Sequence, residues 1–214
     1  MLEILRYGVI FAFCVSILAL CHLTIKTVLF NKKPVYAKSR NRAIKGIVYA
    51  LGKGMMPWEK ESAGKHLPTY LSGIVYHTGI FAGLLYLCML IIPVHLDSII
   101  VSILRIIMFA GLLCGLGLFL KRSLKKQLRR ISCLDDFASN LIVDVFLVLS
   151  LSTTYTIRWK FLLYAVAIVM FLYIPVGKIR HCFFFFYSRI LFGLFYGRRG
   201  VLPQTKGNFG AQNE

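Results

Sequence analysis

Residues Pro68–Pro93 read PTYLSGIVYHTGIFAGLLYLCMLIIP, twenty-six positions without one Asp, Glu, Lys or Arg. About twenty predominantly apolar residues in helical form cross the hydrocarbon of a bilayer. The stretch therefore predicts a transmembrane helix that carries one imidazole, His77, inside hydrocarbon. Four further apolar blocks of similar length lie at about 7–29, 98–120, 137–156 and 161–187. Across 214 residues the chain is 58% hydrophobic, with a mean hydropathy of +0.72. A soluble domain is nearer half apolar. The expected fold class is an all-α membrane protein, a five-transmembrane-helix bundle over residues 1–200 with a flexible tail at 201–214. The first block has no clear small-residue cleavage site and ends in a basic segment, so it reads as a span rather than a signal peptide.

The formal charge of +18 would suit a nucleic-acid binder, but its distribution does not. Segment 31–66 holds nine Lys/Arg, 121–136 holds six, and the region from Lys178 onward holds six. The opposite helix ends hold only Arg6, Arg158 and Lys160, which makes twenty-one against three, with Lys26 and Arg105 inside the spans. Basic connectors stay on the cytoplasmic side. The N-terminus is thus expected outside and the C-terminus in the cytoplasm, which requires an odd number of crossings, as five is.

The connectors say what the chain lacks. The outer ones, Val94–Asp97 and Ile157–Lys160, are too short for an external domain. In the inner connector Ile44, Ile47, Val48 and Leu51 recur at helical spacing before Met55, Met56, Pro57 and Trp58. That pattern fits an amphipathic helix on the inner membrane face, or an ordinary solvated connector. Six cysteines (14, 21, 88, 114, 133 and 182) form no CxxC pair, so any iron–sulfur centre belongs to a partner. There is no phosphate loop and no nucleophile–base arrangement, which argues against a stand-alone enzyme.

An ionisable side chain within a span is expensive and is by default a functional candidate. His77 lies nine residues past Pro68, at a depth of roughly 13 Å. If the fifth helix runs unbroken to Arg189, His181 lies eight residues from its inner end, at roughly 12 Å. His22 sits nine residues before Asn31, at a similar depth, so three pairings among His22, His77 and His181 remain open. His66 and His95 fall at or beyond the membrane edges. Arg105 either snorkels outward or binds a quinone. Asp144 either moves protons to a quinone, pairs with a cation, or is a hydrogen-bonded packing carboxyl.

Local motifs narrow the histidine choice. Tyr76-His77-Thr78-Gly79-Ile80, followed by Gly83, resembles the haem-ligand segment on helix two of the respiratory nitrate reductase gamma subunit family. Ile174-Pro175-Val176-Gly177-Lys178-Ile179-Arg180-His181 is similar to that family's helix-five segment, where a Pro and a basic residue precede a ligand. Gly115-Leu116-Gly117-Leu118-Phe119-Leu120-Lys121-Arg122, with Asp135-Asp136 beyond it, looks like the end of helix three and the start of helix four.

The resemblance implies b-type haem. Family members commonly hold two haems with two histidines on each of helices two and five. The inner pair matches His77 and His181, whereas the outer positions fall near Leu87 and Leu163, where no histidine occurs. It therefore implies a single-haem variant with bis-histidine iron ligation. Gly79 and Gly83 would admit the macrocycle, and Lys121, Arg122, Lys178 and Arg180 would meet its propionates. For the glycines helix packing is the alternative, and for the cations a topological role. The function implied is a cytochrome b subunit in a bacterial or archaeal cytoplasmic membrane, linking quinone to a cytoplasmic iron–sulfur partner. That partner would be ferredoxin-like or heterodisulfide-reductase-like. The competing reading is a haem-free scaffold or small transporter whose histidines only pack.

Overall fold

The structure is a computed structural model that describes residues 1–30, 43–59, 64–92 and 97–202. His95, part of the basic connector, most of the 94–97 turn and the tail after residue 202 lie outside the described residues. The α-helices named here, all among the described residues, are α1 Leu2–Phe30, α2 Ala43–Leu51, α3 Leu67–Ile91, α4 Ser98–Leu124, α5 Lys126–Ile131, α6 Leu134–Tyr155, α7 Lys160–Tyr173 and α8 His181–Arg199. No strand occurs among the described residues. Two compact units divide the chain: Met1–Val28 with His66–Arg180, and Leu29–Lys65 with His181–Glu214.

Among the described residues, α1, α3, α4 and α6 are each long and apolar enough to cross a membrane. Residues Ile157–Tyr173 and Lys178–Arg199 pass the same test only together, as a bent pair that is either a broken span or a re-entrant loop, so the count is four, or five if that pair is one span. Only 22 to 39% of each intact span's most apolar window is buried inside the protein. Large apolar side chains such as Ile103, Ile106, Phe109 and Leu116 of α4 stay exposed. A surface this apolar requires lipid around it. The chain is an all-helical, multi-pass membrane protein.

The first unit is held by close approach rather than by apolar collapse, since lipid is as apolar as the core. α3 meets α4 where two glycines face each other. A Cβ on Gly79 would sit 2.7 Å from the Gly111 Cα, and one on Gly111 would sit 2.6 Å from the Gly79 Cα. One turn further along α3, Gly83 lies against Phe146, Leu147 and Ser150 of α6. Phe146, Leu147, Leu163 and Ala167 are fully buried, so α6 and α7 complete the core. α1 joins through Gly8 against Ile168 and an edge-to-face Phe13–Phe171 pair, 5.3 Å between centroids.

The expected fifth helix, 161–187, is corrected. α7 ends at Tyr173, a turn follows, and α8 begins at His181 and runs to Arg199. Pro175 explains the break, because it has no N–H to donate and its ring crowds the carbonyl of the preceding turn; Ile174 itself keeps helical dihedrals. The Gly177 N–H closes the turn onto the Tyr173 carbonyl at 2.8 Å. His181 is therefore the first residue of its own helix, and a depth counted along an unbroken one does not apply to it.

The second unit pairs α2 with α8. Gly46 of α2 packs into the stripe formed by Gly193 and Gly197 of α8. A Cβ on Gly46 would stand 2.1 Å from the Gly193 carbonyl oxygen and 2.6 Å from the Gly197 Cα. The turn after α2 is tied back by Tyr49, whose hydroxyl donates to Glu59 at 3.1 Å. Burial, then that carboxylate, pushes the Tyr49 hydroxyl above its ordinary pKa. Ile44 and Val48 of α2, and Trp58 in the turn beyond it, are exposed.

Candidate functional site

The His77 ring is fixed by its own helix. Its Nδ1 lies 2.6 Å from the carbonyl oxygen of Gly73, one turn back. A carbonyl can only accept, so Nδ1 carries a proton, and in the neutral ring Nε2 then carries the lone pair. That is the tautomer of a histidine that ligates a metal through Nε2, with the other nitrogen anchored on a carbonyl. The ring is exposed, and Tyr76 beside it is buried, with the two ring centroids 6.1 Å apart. His77 belongs to the first unit and His181 opens α8 of the second. His22 is exposed on α1, and His66 precedes the first turn of α3.

The two glycines expected beside a macrocycle do something else. The open side of Gly79 is taken by Gly111, and that of Gly83 by Phe146, Leu147 and Ser150. Their lack of a side chain serves helix packing, the alternative role the sequence left open for them.

The cations divide. Arg122 and Lys178 both pair with Asp136, at 3.0 and 2.7 Å. Asp136 also accepts the Cys133 backbone N–H at 2.9 Å, which satisfies one donor at the start of α6. Beside it Asp135 accepts from the Tyr173 hydroxyl and, at 3.4 Å, from Ser139. This network ties the ends of α4, α6 and α7 together, so Arg122 and Lys178 already have a carboxylate partner. Lys121 points elsewhere and donates to the Thr69 hydroxyl on α3. Arg180 is exposed.

Asp144 and Arg105 do not form one site. Asp144 is only 3% exposed and accepts from the Asn140 amide at 2.7 Å, while its Oδ1 has no partner among the described residues. The same amide reaches the Tyr76 hydroxyl at 3.2 Å. Gly115 leaves room for both groups, since a Cβ there would lie 2.4 Å from Asp144 Oδ1 and from the Tyr76 ring. Of the three readings open for Asp144, ion pairing is the one these contacts do not supply. Arg105 lies toward the far end of α6, where Thr154 is ten residues beyond Asp144, roughly 15 Å along the axis. Its Nε donates to the Thr154 hydroxyl at 2.8 Å, a second nitrogen donates to the Thr154 carbonyl, and the guanidinium lies 4.3 Å from the Tyr155 ring centre.

Arg105 thus closes a helix end. Carbonyls in the last turn of a helix lack an internal partner and carry partial negative charge. Arg105→Gln is expected to lower the unfolding free energy by about 1.5–3 kcal/mol, the usual value of a charge-assisted hydrogen bond. Thermal unfolding in detergent reads that loss, and an unchanged midpoint would remove the capping role.

Sequence reading missed Tyr76, Asn140 and Asp136 as members of clusters. Asn140 stands one helical turn before Asp144, a spacing visible in the sequence. The Tyr76 contact crosses between helices and left no such trace. Among the described residues no group of three or more His, Cys, Asp or Glu side chains could hold a metal ion. Comparison with protein-family models, with curated proteins and with solved structures gave no match.

Proposed function

We propose that this chain is a membrane-embedded cytochrome b subunit that holds one haem b through His77 and His181. In this reading it exchanges electrons between the quinone pool and a cytoplasmic iron–sulfur partner. The observation that carries the reading is the His77 ring. Its Nδ1–H is anchored on the Gly73 carbonyl, so Nε2 bears the lone pair that axial ligation needs. A haem bound by two neutral imidazoles supplies one-electron transfer with neither axial position open to substrate. Arg180, which immediately precedes His181, is the cation we assign to a propionate. Arg122 and Lys178 serve the Asp136 network instead. The cytoplasmic placement of the basic helix ends and the external N-terminus rest on the charge asymmetry.

One feature favours a haem-free transporter: the interruption between α7 and α8, read as a broken span. Transporters commonly carry such breaks in corresponding positions of two repeats. Among the described residues there is one such broken pair, and the sequence has no internal repeat. The cytochrome reading is therefore preferred.

Haem content decides between them. Protein expressed with adequate haem supply and purified in detergent is expected to give one b-type pyridine haemochrome per chain and a single reduction step. Colourless protein under those conditions would overturn the proposal, and two haems per chain would overturn its single-site form.

A further inference from the structure

The Gly79–Gly111 crossing fixes where α3 and α4 touch, and from there toward the basic end they leave a gap. That gap is an open-sided cavity of about 410 Å³, lined by Thr69 and Ser72 of α3 and by Leu113, Gly117, Leu118 and Lys121 of α4, among others. Its size falls within the usual range of small-molecule sites, roughly 300–1,000 Å³. A Cβ on Gly117 would meet nothing within 4 Å, so that part of the wall is empty space.

The lining is graded along the helix axes. Lys121 and Thr69 mark one end, with the ammonium donating to the Thr69 hydroxyl. Among the described residues no carboxylate pairs with Lys121, whereas its neighbour Arg122 is paired with Asp136. One hydrogen bond to a hydroxyl leaves the positive charge uncompensated. Leu113 and Leu118 lie toward the other end, within the apolar part of the span.

We infer that this groove is a binding site for one anionic glycerophospholipid, with its phosphate on Lys121 and Thr69 and an acyl chain along Leu113, Gly117 and Leu118. The argument is charge and shape together. The cation lies near the end of a membrane span, where headgroup phosphates lie, and the apolar wall runs inward from it. A free phosphate would use only the polar end and a neutral isoprenoid only the apolar wall. A phospholipid uses both. The inference does not depend on haem.

The test is native mass spectrometry of the full chain in detergent, titrated with phosphatidylglycerol and, in separate arms, with inorganic phosphate and with a quinone. One tightly retained phosphatidylglycerol per chain is expected, undisturbed by inorganic phosphate. Lys121→Gln should weaken its retention by about fivefold, the worth of one basic residue against an anionic lipid. Gly117→Leu starts from a Cβ that meets nothing, extends into the groove, and should displace the lipid while helicity is unchanged. Arg129→Gln on the exposed α5 should retain it as the native chain does. Equal retention by the native chain, Lys121→Gln and Gly117→Leu would overturn the inference. So would competition by inorganic phosphate, or a quinone as the species held in the groove.

Discussion

His77→Ala is expected to remove the low-spin haem b spectrum, with haem falling from one per chain to below about a tenth. The expectation follows from how the ring is set. A histidine whose Nδ1–H is bound to a carbonyl one turn back presents Nε2 in a fixed direction, because its helix holds both atoms. Alanine removes the proposed ligand and leaves α3 intact, since position 77 is exposed and is not among the groups at the Gly79–Gly111 crossing. His181→Ala should have the same spectral effect. His22→Ala and His66→Ala should leave the spectrum unchanged, which separates specific ligation from adventitious haem. A native-like Soret band in His77→Ala, with His22→Ala colourless, would transfer the ligand role to α1.

Gly46→Leu should have the largest structural effect, undoing the α2–α8 pair at a cost of at least about 3 kcal/mol. Even the first carbon of a side chain would lie 2.1 Å from the Gly193 carbonyl oxygen, and the obstacle is backbone that cannot rotate away. α2 has nine residues, too few to persist as a helix without packing. Hydrogen exchange should show protection lost across Ala43–Leu51 and retained in α3, α4 and α6. Gly117→Ala is the matched control, because its Cβ meets nothing. Unaltered protection of α2 in Gly46→Leu would mean that the crossing is not what holds this unit.

Much of the architecture is written in hydropathy. Four of the five apolar blocks coincide with single intact helices because chain length and apolar content fix a span without reference to its neighbours. The fifth block departs because hydropathy does not register Pro175; Ile174 and Val176 look as apolar as a helix interior. The block's aromatic end, Phe183–Phe186, joins a helix that continues to Arg199. Candidate residues were legible as residue types: a histidine, an arginine and an aspartate within spans. Their partners were not. Arg105 meets Thr154 across forty-nine positions, and Asn140 meets Tyr76 across sixty-four. Gly79 shows how the same letter fits two roles until the facing helix is known, here through Gly111.

Arg105 is not alone in closing a helix terminus from another element. The Tyr164 hydroxyl on α7 donates to the Leu90 carbonyl in the last turn of α3, at 3.0 Å. Two helix ends are thus fastened by rivets driven in from elsewhere in the bundle. A tyrosine or arginine lost from those rivets would loosen an end of a helix to which it does not belong.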